Sequence, residues 1–575
     1  MNTLLQYLKP HTGIMTWTFT VKLFAAMMDL LIPSILARII DKIVPLGEPR
    51  QIYLWGGLMV LCALLAIATN IYANRMAALT SGKVTRAVRH DLFAKISSLS
   101  MAQIDGISLS SAVSRLTTDT YNINQFLNRM QRMGVRAPIL LIGGLVMTLT
   151  LDFRLTLVLV LTLPFISLIV YQVTRRTVPL YTKQQTVLDR LVRVMQENIT
   201  GIRIIKALSK TEYEQQRFDG VNGTLANTTQ RAGRVAALSN PLTSLTLNLG
   251  LTLVVLAGGF LVNRGMSTPG TIIAFLNYFM IILQAMMGIT RIFIMSSRGV
   301  ASAGRVAEVL NMPQDLAVIA GPPQAETEDH LVFDRVSFSY NKVENNLEGI
   351  SFRLKRGETL GILGATGSGK TTLVNLLLRL YDPDSGRVLL GGRDMRTLPP
   401  EDLHGKVGVV FQNDFLMADT IRENIRYYRD IPDERVWQAA EDAQAAQFIR
   451  DTEQGLDHMV AQKGNNLSGG QKQRLLIARA LAGDPELLIL DDASSALDYR
   501  TDASLRRALH RRYGDTTSII IAQRVSSIKG ADRILVLEEG REIGYGTHDE
   551  LMEGCPTYRE IALTQMGAEG GARDV

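Results

Sequence analysis

The sequence TLGILGATGSGKTT, from Thr359 to Thr372, decides the fold of the second half of this chain. Its first five residues predict a β-strand, and the apolar run Leu373–Leu380 that follows predicts a helix. Between them lies a glycine-rich loop, Gly364–Gly369, whose backbone N–H groups can surround phosphate groups beside the positive end of the helix. The segment therefore predicts a phosphate-binding loop in which Lys370 reaches the β- and γ-phosphates and Thr371 binds Mg²⁺.

Residues 331–575 show the alternation of strands and helices that is typical of an α/β domain. Besides the quoted strand, the strand-like runs are Leu331–Tyr340, Val407–Phe411, Leu487–Leu490 and Ser518–Ile521. Asp491 directly follows the third of these runs, so its carboxylate stands at the carboxyl end of a predicted strand. A lone carboxylate in this position is more often a helix cap, but a phosphate-binding loop in the same domain favours a Mg²⁺ ligand that acts through water.

A second glycine-rich stretch, LSGGQ from Leu467 to Gln471, precedes a predicted helix that contains Lys472, Arg474 and Arg479. Two glycines and a serine at a helix N-terminus form a surface that can bind an anion. On its own this pentapeptide would favour a simple turn and helix cap. Its place between the phosphate-binding loop and Asp491 favours the anion-binding interpretation.

The part of the chain before residue 300 has the apolar sequence of a membrane domain. The whole chain is 47% hydrophobic and only 20% charged, with a mean hydropathy of +0.12, which excludes a disordered chain and an ordinary soluble enzyme throughout. Apolar stretches of about 20 residues are long enough to cross a bilayer. The six predicted spans are Ile14–Val44, Trp55–Ala73, Ala137–Leu151, Leu155–Val173, Pro241–Val262 and Thr271–Thr290.

Two long segments separate spans 2 and 3 and spans 4 and 5, whereas the other spans are joined by short links. The long segments are rich in Lys and Arg and contain few helix breakers, which favours a cytoplasmic location and a helical conformation. As helical hairpins with arms of about 30 residues, they would project roughly 45 Å from the membrane. Arms of that length can reach a separate cytoplasmic domain.

The predicted domains are a transmembrane domain at residues 1–311, a linker at residues 312–330 and the α/β domain at residues 331–575. Pro313 and Gly321-Pro322-Pro323 favour turns in the linker. Cys62 and Cys555 are too few and too far apart in sequence for a disulfide framework or a zinc site, so a reducing compartment is acceptable. The net charge of +7 fits the cytoplasmic loops of a membrane protein better than nucleic-acid binding.

With these motifs in this order, the chain resembles the ABC transporter family along its whole length. Six spans fused ahead of one nucleotide-binding domain is the arrangement of an exporter-type half-transporter. Further matching features are the aromatic Tyr340, which stacks on adenine in the family, Gln412 of the Q-loop Val410–Gln412 and the D-loop Ser495–Asp498. The resemblance implies ATP as a cofactor, bound by Tyr340, Gly364, Thr366, Gly367, Ser368, Gly369, Lys370, Thr371, Thr372, Ser468, Gly469, Gly470 and Gln471, and Mg²⁺, bound by Thr371, Gln412 and Asp491.

The resemblance also extends to the cytoplasmic loops of the membrane half. Ser114–Asp119 and Glu197–Arg203 are similar to the family's coupling segments. We expect the segments near Gln103–Gly106 in the first loop and near Glu197–Arg203 in the second to dock onto the nucleotide-binding domains. Rigid helical arms are the obvious route from an ATP site to the spans.

Two residues depart from the family's pattern at the positions that carry hydrolysis. The family has a Glu that polarises the attacking water after the Asp of the strand, and here that residue is Asp492. The family's switch-loop His is replaced by Gln523, which can hydrogen-bond a phosphate oxygen but is never cationic. Shortening a carboxylate by one methylene withdraws it by roughly 1 Å, and a displacement of that size can cost about 100-fold in rate. The other interpretation is a site that has drifted but still works, because the phosphate-binding loop is intact.

In the family the nucleotide-binding domains pair head to tail, so that ATP on one chain's phosphate-binding loop meets the signature motif, here Leu467–Gln471, of the other chain. This chain would bring Asp492 and Gln523 to one site and an intact signature to the other. The resemblance therefore implies a heterodimer whose partner carries the Glu and the His. A homodimeric exporter and an ATP-gated channel of the same architecture are the alternatives, while six spans argue against an ATPase that acts on DNA.

The implied cargo is an amphipathic or hydrophobic compound, whether a drug, a lipid or a peptide-like molecule, and membrane lipid surrounds the spans. The implied location is a bacterial plasma membrane, with the nucleotide-binding domain and both termini in the cytoplasm. Lys22 and Asp29 lie two turns apart on one face of the first span. Such residues usually line a cavity or pair with one another, so an ion pair and a substrate contact are both open for them.

Overall fold

The computed structural model describes residues 2–571, apart from 314, 321–327 and 413. The predicted turn Gly321-Pro322-Pro323 thus lies outside the described residues. The chain divides into two compact units, Met1–Lys95 with Val113–Met312 and Ile96–Ala112 with Pro313–Val575. The division falls next to the predicted boundary at residue 311, except that Ile96–Ala112 packs with the second unit. Both cysteines are free and buried.

The first half of the chain is helical throughout. Its α-helices are α1 (Asn2–Leu8), α2 (Thr12–Arg38), α3 (Pro49–Ser97), α4 (Met101–Ile107), α5 (Leu109–Ser114), α6 (Thr120–Arg129), α7 (Val135–Leu151), α8 (Phe153–Thr200), α9 (Ile202–Ala207), α10 (Thr211–Ala237), α11 (Ser239–Asn263) and α12 (Pro269–Leu310). Short π-helical turns at Ile39–Ile43, Arg115–Asp119 and Met130–Gly134 join some of them, and 3₁₀ turns occur at Lys9–His11 and Val44–Leu46. Helix α2 continues through Pro33, so that proline does not end the first span.

The predicted spans coincide with these long helices. Five helical stretches of the described chain are long and apolar enough to cross a membrane: Thr3–Leu46, Pro49–Ser97, Leu109–Leu151, Ser244–Asn263 and Pro269–Ile289. The fourth predicted span lies at the start of α8, where the apolar stretch that the structure describes is shorter, Phe153–Thr162. The helix count is consistent with six spans.

The predicted arms are direct continuations of the spans. Helix α3 has 49 residues and would be about 74 Å long at 1.5 Å per residue, so one helix contains both the second span and an arm. Helix α8, with 48 residues, does the same for the fourth span. Each arm ends at a short helix, α4 or α9. Ser100 caps α4 by accepting a hydrogen bond from the backbone N–H of Gln103.

Two β-sheets form the second unit. The strands are β1 (Asp329–Phe338), β2 (Leu347–Lys355), β3 (Thr359–Gly364), β4 (Ser385–Leu390), β5 (Arg393–Asp394), β6 (Val407–Val410), β7 (Leu487–Asp491), β8 (Thr517–Ile521), β9 (Arg533–Glu538) and β10 (Arg541–Gly546). The first sheet is antiparallel, in the order β2-β1-β4-β5. The second has the order β10-β9-β3-β8-β7-β6 and is parallel except at β10. The five predicted strands are confirmed, with ends that differ by at most two residues.

The helices of this unit pack on the sheets and order the loops at the strand ends. They are α13 (Lys370–Leu377), α14 (Pro400–Gly405), α15 (Ile421–Arg426), α16 (Asp433–Asp442), α17 (Ala446–Arg450), α18 (Gly469–Ala482), α19 (Tyr499–Arg512), α20 (Val525–Ile528), α21 (His548–Gly554) and α22 (Pro556–Gly571). Leu373 and Leu377 of α13 are fully buried in a core that contains the stacked pair Phe333 and Phe352, with ring centroids 4.6 Å apart. Because β3, β7 and β8 are parallel neighbours, the residues that follow them meet at one edge of the sheet.

Candidate nucleotide-binding site

The loop after β3 has the backbone shape that its glycines predict. Gly367 and Gly369 have φ angles of +86° and +100°, in the left-handed region that glycine adopts without strain. A Cβ atom at Gly369 would lie 2.6 Å from Leu347 Cδ2 and 2.9 Å from the carbonyl oxygen of Asn346, so the position has no room for a side chain. The Lys370 ammonium donates to the carbonyl oxygens of Gly364 and Ala365, each at 2.8 Å, which holds it over the loop.

A cavity of about 240 Å³ opens beside this loop at the edge of the parallel sheet. It brings together most of the residues that the sequence predicts for nucleotide and metal. Its lining consists of Asn346, Thr366, Gly367, Gly369, Lys370, Thr371, Thr372, Gln412, Asp491, Asp492, Ile521, Ala522 and Gln523. Asn346 is a site residue that sequence reasoning missed, because in the sequence it is one polar residue in a loop without a motif.

The remaining predicted loop residues, Gly364 and Ser368, support the cavity from behind. Ser368 is only 3% exposed. A Cβ atom at Gly364 would lie 2.4 Å from Ser368 Oγ, so the glycine allows the loop to close on the strand.

The cavity contains a cation and two adjacent carboxylates. Burial raises the pKa of Asp491, and the neighbouring Asp492 raises it further, while Lys370 and a hydrogen bond from the backbone N–H of Gln412 oppose the rise. Burial also raises the pKa of Asp492, against the attraction of Arg524 and Lys370. For Lys370, burial lowers the pKa of the ammonium, and Asp491 and Asp492 partly compensate. An incoming Mg²⁺ would favour the ionised form of both carboxylates.

Asp492 has an unusual backbone conformation. Its φ angle is +51°, in the left-handed region, which Asp visits more readily than most residues. Its N–H donates to the carbonyl oxygen of Ile521, and its own carbonyl oxygen accepts from Ser495 Oγ at 2.9 Å and from Gln473 Nε2 at 3.3 Å. These bonds hold the backbone in place at the position where the family has Glu. The backbone therefore does not compensate for the shorter side chain of Asp492.

Gln523 lies in an exposed loop after β8 that the last helix holds in place. Gln565 of α22 donates from Nε2 to the carbonyl oxygen of Gln523 at 3.0 Å and accepts from the N–H of Val525 at 2.8 Å. Arg524 lies between these two residues in sequence and attracts the Asp492 carboxylate. The loop therefore presents an uncharged amide, not an imidazole, to the cavity.

The signature residues lie elsewhere in the unit and do not line the cavity. Ser468 caps α18: its Oγ accepts from the N–H of Gln471 at 3.3 Å, while Gln471 Oε1 accepts from the N–H of Ser468 at 2.9 Å. Ser468 and Gly469 are exposed, and a Cβ atom at Gly469 would meet only Ala496 Cβ, at 3.8 Å. The start of α18 is thus an intact, accessible helix N-terminus beside the D-loop.

Tyr340 stands at the rim of the site among other aromatic rings. Its ring is 43% exposed and lies edge-on to Phe338 and Tyr381, at centroid distances of 4.9 and 5.1 Å. Its backbone N–H donates to Asn346 Oδ1 at 3.0 Å, which connects it to the cavity lining. The side chain thus offers a partly open ring face of the kind that can stack on a base.

The first coupling segment packs on the second unit near these rings. Asp105 of α4 accepts a hydrogen bond from the Tyr381 hydroxyl at 2.5 Å, and burial together with this bond raises the pKa of that phenol. Ser100 Oγ donates to Asp315 at 2.7 Å, and Gln103 Nε2 donates to the carbonyl oxygen of Pro313 at 2.7 Å. Docking of the segment near Gln103–Gly106 is therefore confirmed within the chain.

The other predicted coupling segments belong to the first unit. Ser114–Asp119 packs on α12, where Arg115 pairs with Glu308 at 3.0 Å and Asp119 pairs with Arg305. In the Glu197–Arg203 segment, Glu197 pairs with Arg217 of the adjacent helix at 2.6 Å.

Of the two possibilities left open for Lys22 and Asp29, the structure does not show the ion pair between them. Lys22 donates to Asn70 Oδ1 at 2.7 Å and to Asn74 Oδ1 at 2.9 Å, and Asp29 pairs with Arg136 at 2.7 Å. Residues seven positions apart on a helix are separated by about 10.5 Å along its axis, so partners on neighbouring helices are closer. The sequence alone does not contain the helix packing that supplies those partners.

Comparison with known proteins agrees with this architecture along the whole chain. The family model of the ABC transporter transmembrane region matches residues 15–286, and the model described as ABC transporter matches residues 347–495. An uncharacterized ABC transporter ATP-binding protein of Bacillus subtilis is 34% identical, over 99% of this chain and 99% of that protein. A fatty acid ABC transporter ATP-binding/permease protein of Mycobacterium bovis is 33% identical, over 88% of this chain and 80% of that protein.

A solved structure of a bacterial Atm1-family ABC exporter with ATP bound has the same fold. It superimposes with a TM-score of 0.81 at 24% identity, covering 96% of this chain and 98% of that one. The helical half and the α/β half described above thus have counterparts, in the same order, in one known structure.

Proposed function

The chain belongs to the ABC transporter family, whose members couple ATP hydrolysis to transport across a membrane, and from this premise we propose that it is one half of a heterodimeric exporter. It would move amphipathic or hydrophobic compounds outward across a bacterial plasma membrane, with the nucleotide-binding domain and both termini in the cytoplasm. One observation supports the proposal: the capped Ser468–Gln471 helix start coexists in this chain with a cavity lined by Lys370, Asp492 and Gln523, and the last two stand where the family has Glu and His.

ATP binding at this chain is supported by the cavity. Lys370 and the loop N–H groups would bind the phosphates, and Tyr340 would stack on the base. Thr371, Gln412 and Asp491 offer oxygen ligands within one cavity, which suits Mg²⁺, and the bound ion would neutralise charge on the phosphates. None of these contacts requires the catalytic Glu, so we expect tight binding even where hydrolysis is slow.

Slow hydrolysis at this cavity follows from the two substituted positions. Asp492 is one methylene shorter than Glu, and its backbone is fixed by bonds to Ile521, Ser495 and Gln473, so it cannot simply move forward. A displacement of about 1 Å at a catalytic group costs about 100-fold in rate. Gln523 adds no positive charge near the γ-phosphate.

The competent site would combine this chain's signature with the partner's phosphate-binding loop. The exposed N-terminus of α18 has its orphan N–H groups directed outward, and the mutual bonds of Ser468 and Gln471 hold the first turn rigid. Such a surface is preorganised to close over phosphates that another chain presents. Two copies of this chain would instead give two impaired sites.

Coupling to the spans would run through the docked end of α3. The Tyr381 hydroxyl bonds Asp105, and the Tyr381 ring touches Tyr340, the proposed adenine contact. A change in the position of the base would thus reach α4 through two side chains. Helix α3 is continuous from that end into the second span, which makes it a stiff lever.

The cargo class is supported by the membrane domain and by one relative. The Mycobacterium bovis relative is named as a fatty acid transporter, and fatty acids are amphipathic. Exposed methionines on the spans, such as Met27 and Met280, offer adaptable apolar contacts.

Purification through a tag on this chain, followed by native mass measurement, tests the proposal. We expect a complex of this 63.5 kDa chain with one different chain. A complex with twice the mass of this chain would establish the homodimer instead. A measurable single-channel current in a bilayer would indicate a channel.

A further inference from the structure

Charged and amide side chains from α2, α3 and the segment around the start of α7 form a cluster. It lies near the end of the second predicted span and the beginning of the third. Lys22 of α2 is only 2% exposed and donates to Asn70 and Asn74. Asn74 Oδ1 also accepts from Arg132 Nε at 3.2 Å. One neutral amide oxygen is therefore shared by two cations, in a place where an ion pair would have a carboxylate.

The charges of this cluster do not balance among the described residues. Three cations, Lys22, Arg132 and Arg136, share a single carboxylate, Asp29, which pairs with Arg136 at 2.7 Å. Buried cations near a membrane are normally neutralised by partners, because the surrounding dielectric constant is low. Three cations against one carboxylate leave two positive charges, and the amide oxygens solvate these charges without neutralising them.

Hydrogen-bond donors are also left over. Arg136 Nε is buried and has no partner in the described part of the chain. Lys22 has three donors, of which the two asparagines accept two. The Arg136 side chain is nonetheless 42% exposed and Arg132 is exposed, so the cluster opens to the surface of the chain. An anion could enter and find oriented donors.

Two further features fit a ligand site here: the backbone is irregular at Arg132, and exposed apolar side chains lie beside the cations. Arg132 lies in a π-helical turn, Met130–Gly134, a local irregularity that is frequent at functional sites. Ile71, one turn from Asn74, is 55% exposed, and Met133, beside Arg132, is 39% exposed. A polar head held by the cations would have apolar side chains next to it.

We propose that the Lys22, Arg132 and Arg136 cluster binds the oxyanion head, carboxylate or phosphate, of an amphipathic molecule with an acyl chain. The guanidinium groups provide paired N–H donors, which bind planar carboxylates and phosphates through charge-assisted bonds. The inference rests on the proposed export function, whose cargo it narrows to anions. A free fatty acid and an anionic phospholipid present the same head chemistry.

Native mass spectrometry of the full-length chain with its natural partner tests this site without ATP. The complex is titrated separately with laurate, with its neutral methyl ester and with phosphatidate, and bound mass is counted. We expect saturable binding of laurate or phosphatidate, and at most weak binding of the ester. Laurate binding alone would identify a carboxylate ligand, and phosphatidate binding that displaces laurate would identify a lipid headgroup.

Variants assign the binding to the cluster. Arg132→Gln and Arg136→Gln should each weaken anion binding roughly tenfold, since each removes a charge-assisted bond. Arg132→Lys keeps the charge and should retain most of the binding. Arg38→Gln is the matched control, because Arg38 lies on the same helix as Lys22 but stacks on Trp55, 4.8 Å from the ring centroid.

Equal binding of laurate and its methyl ester would overturn the inference, as would unchanged anion binding in both Gln variants. The mass of the intact complex shows in the same spectrum whether each variant assembles. Assembly and ATPase of the heterodimer are measured separately from anion binding. A heterodimer with normal ATPase that binds no anion would therefore contradict this inference and leave the proposed function standing.

Discussion

The cavity around Lys370 and the capped helix at Ser468 are two regions of the same unit that we propose to contact ATP, and they differ in which of the family's residues they retain. The cavity has its glycines, its lysine and its buried Asp491, but Asp492 and Gln523 stand where the family has Glu and His. The helix N-terminus retains serine, both glycines and glutamine, held in a reciprocal cap. Binding and hydrolysis use different atoms, so one can be lost while the other persists.

This difference gives the two regions different consequences for turnover. In the proposed heterodimer, a defect in the cavity would affect only the ATP that this chain binds. A defect at the signature would affect the ATP bound by the partner, at the site that we expect to be competent. Substitutions in the two regions should therefore differ in size, and the largest effect should come from the region without a catalytic residue.

Gly469→Asp should produce the largest effect, a loss of about 100-fold in steady-state ATPase of the assembled complex. The new carboxylate would repel the γ-phosphate across a short distance at low dielectric constant. The side chain has room, because the nearest atom to a Cβ at this position is Ala496 Cβ at 3.8 Å. Gly530→Asp is the control, as a Cβ there meets nothing within 4 Å. If the Gly469→Asp complex kept wild-type turnover, this chain's signature would not be part of the competent site.

Lys370→Ala should weaken retention of ATP by this chain about 10- to 100-fold, measured with radiolabelled nucleotide on the purified complex. The reason is the loss of charge-assisted bonds to the β- and γ-phosphates. Lys529→Ala, at an exposed lysine far along the sequence, serves as the control. Unchanged retention by Lys370→Ala would mean that another residue holds the phosphates.

Tyr381→Phe should lower the midpoint of thermal unfolding by about 5 °C, because a hydrogen bond to a charged group contributes about 1.5–3 kcal/mol. The bond that is lost joins Tyr381 to Asp105 of the coupling helix. Differential scanning fluorimetry of the complex measures the shift. Tyr499→Phe, at a tyrosine that is 75% exposed, should change little. Equal shifts in the two variants would argue that the Asp105 contact contributes no stability.

Asp492→Glu should have the smallest effect, a change of less than about threefold in ATPase of the complex. The longer side chain would bring the carboxylate back to the position from which the family's Glu polarises the attacking water, but Gln523 would still lack the charge of His. The double variant Asp492→Glu with Gln523→His should gain more than either single change, since both groups act on one phosphate. A strong gain from Asp492→Glu alone, together with a silent Gly469→Asp, would reverse the assignment of the two sites.

Local sequence patterns predicted the elements that carry this comparison. The strand before the phosphate-binding loop is apolar and β-prone, and the glycines force the loop conformation, so β3 and α13 appear within a few residues of their predicted bounds. The cap at Ser468 likewise depends on residues three positions apart. Such features need only near neighbours, and the sequence contains those.

Contacts between distant segments could not be predicted in the same way. The bond from Tyr381 to Asp105, the bridge from Gln565 to the switch loop and the partners of Lys22 all depend on helix packing. The place of Asn346 in the cavity lining likewise depends on packing between segments that are distant in sequence. The choice left open for Lys22 and Asp29 could not be made from the sequence, because helix periodicity shows which face two residues share and does not show which helix packs against that face.

The most direct test of an impaired cavity is the ATPase rate of this chain purified alone and homogeneous, compared with that of the complete complex. The preparation should retain ATP in a Lys370-dependent manner, which shows that the site is folded and occupied. We expect turnover about 100-fold below that of the complex, because both sites would then contain Asp492 and Gln523. Turnover equal to that of the complex would contradict the account, since it would show that these two residues support hydrolysis as well as Glu and His do.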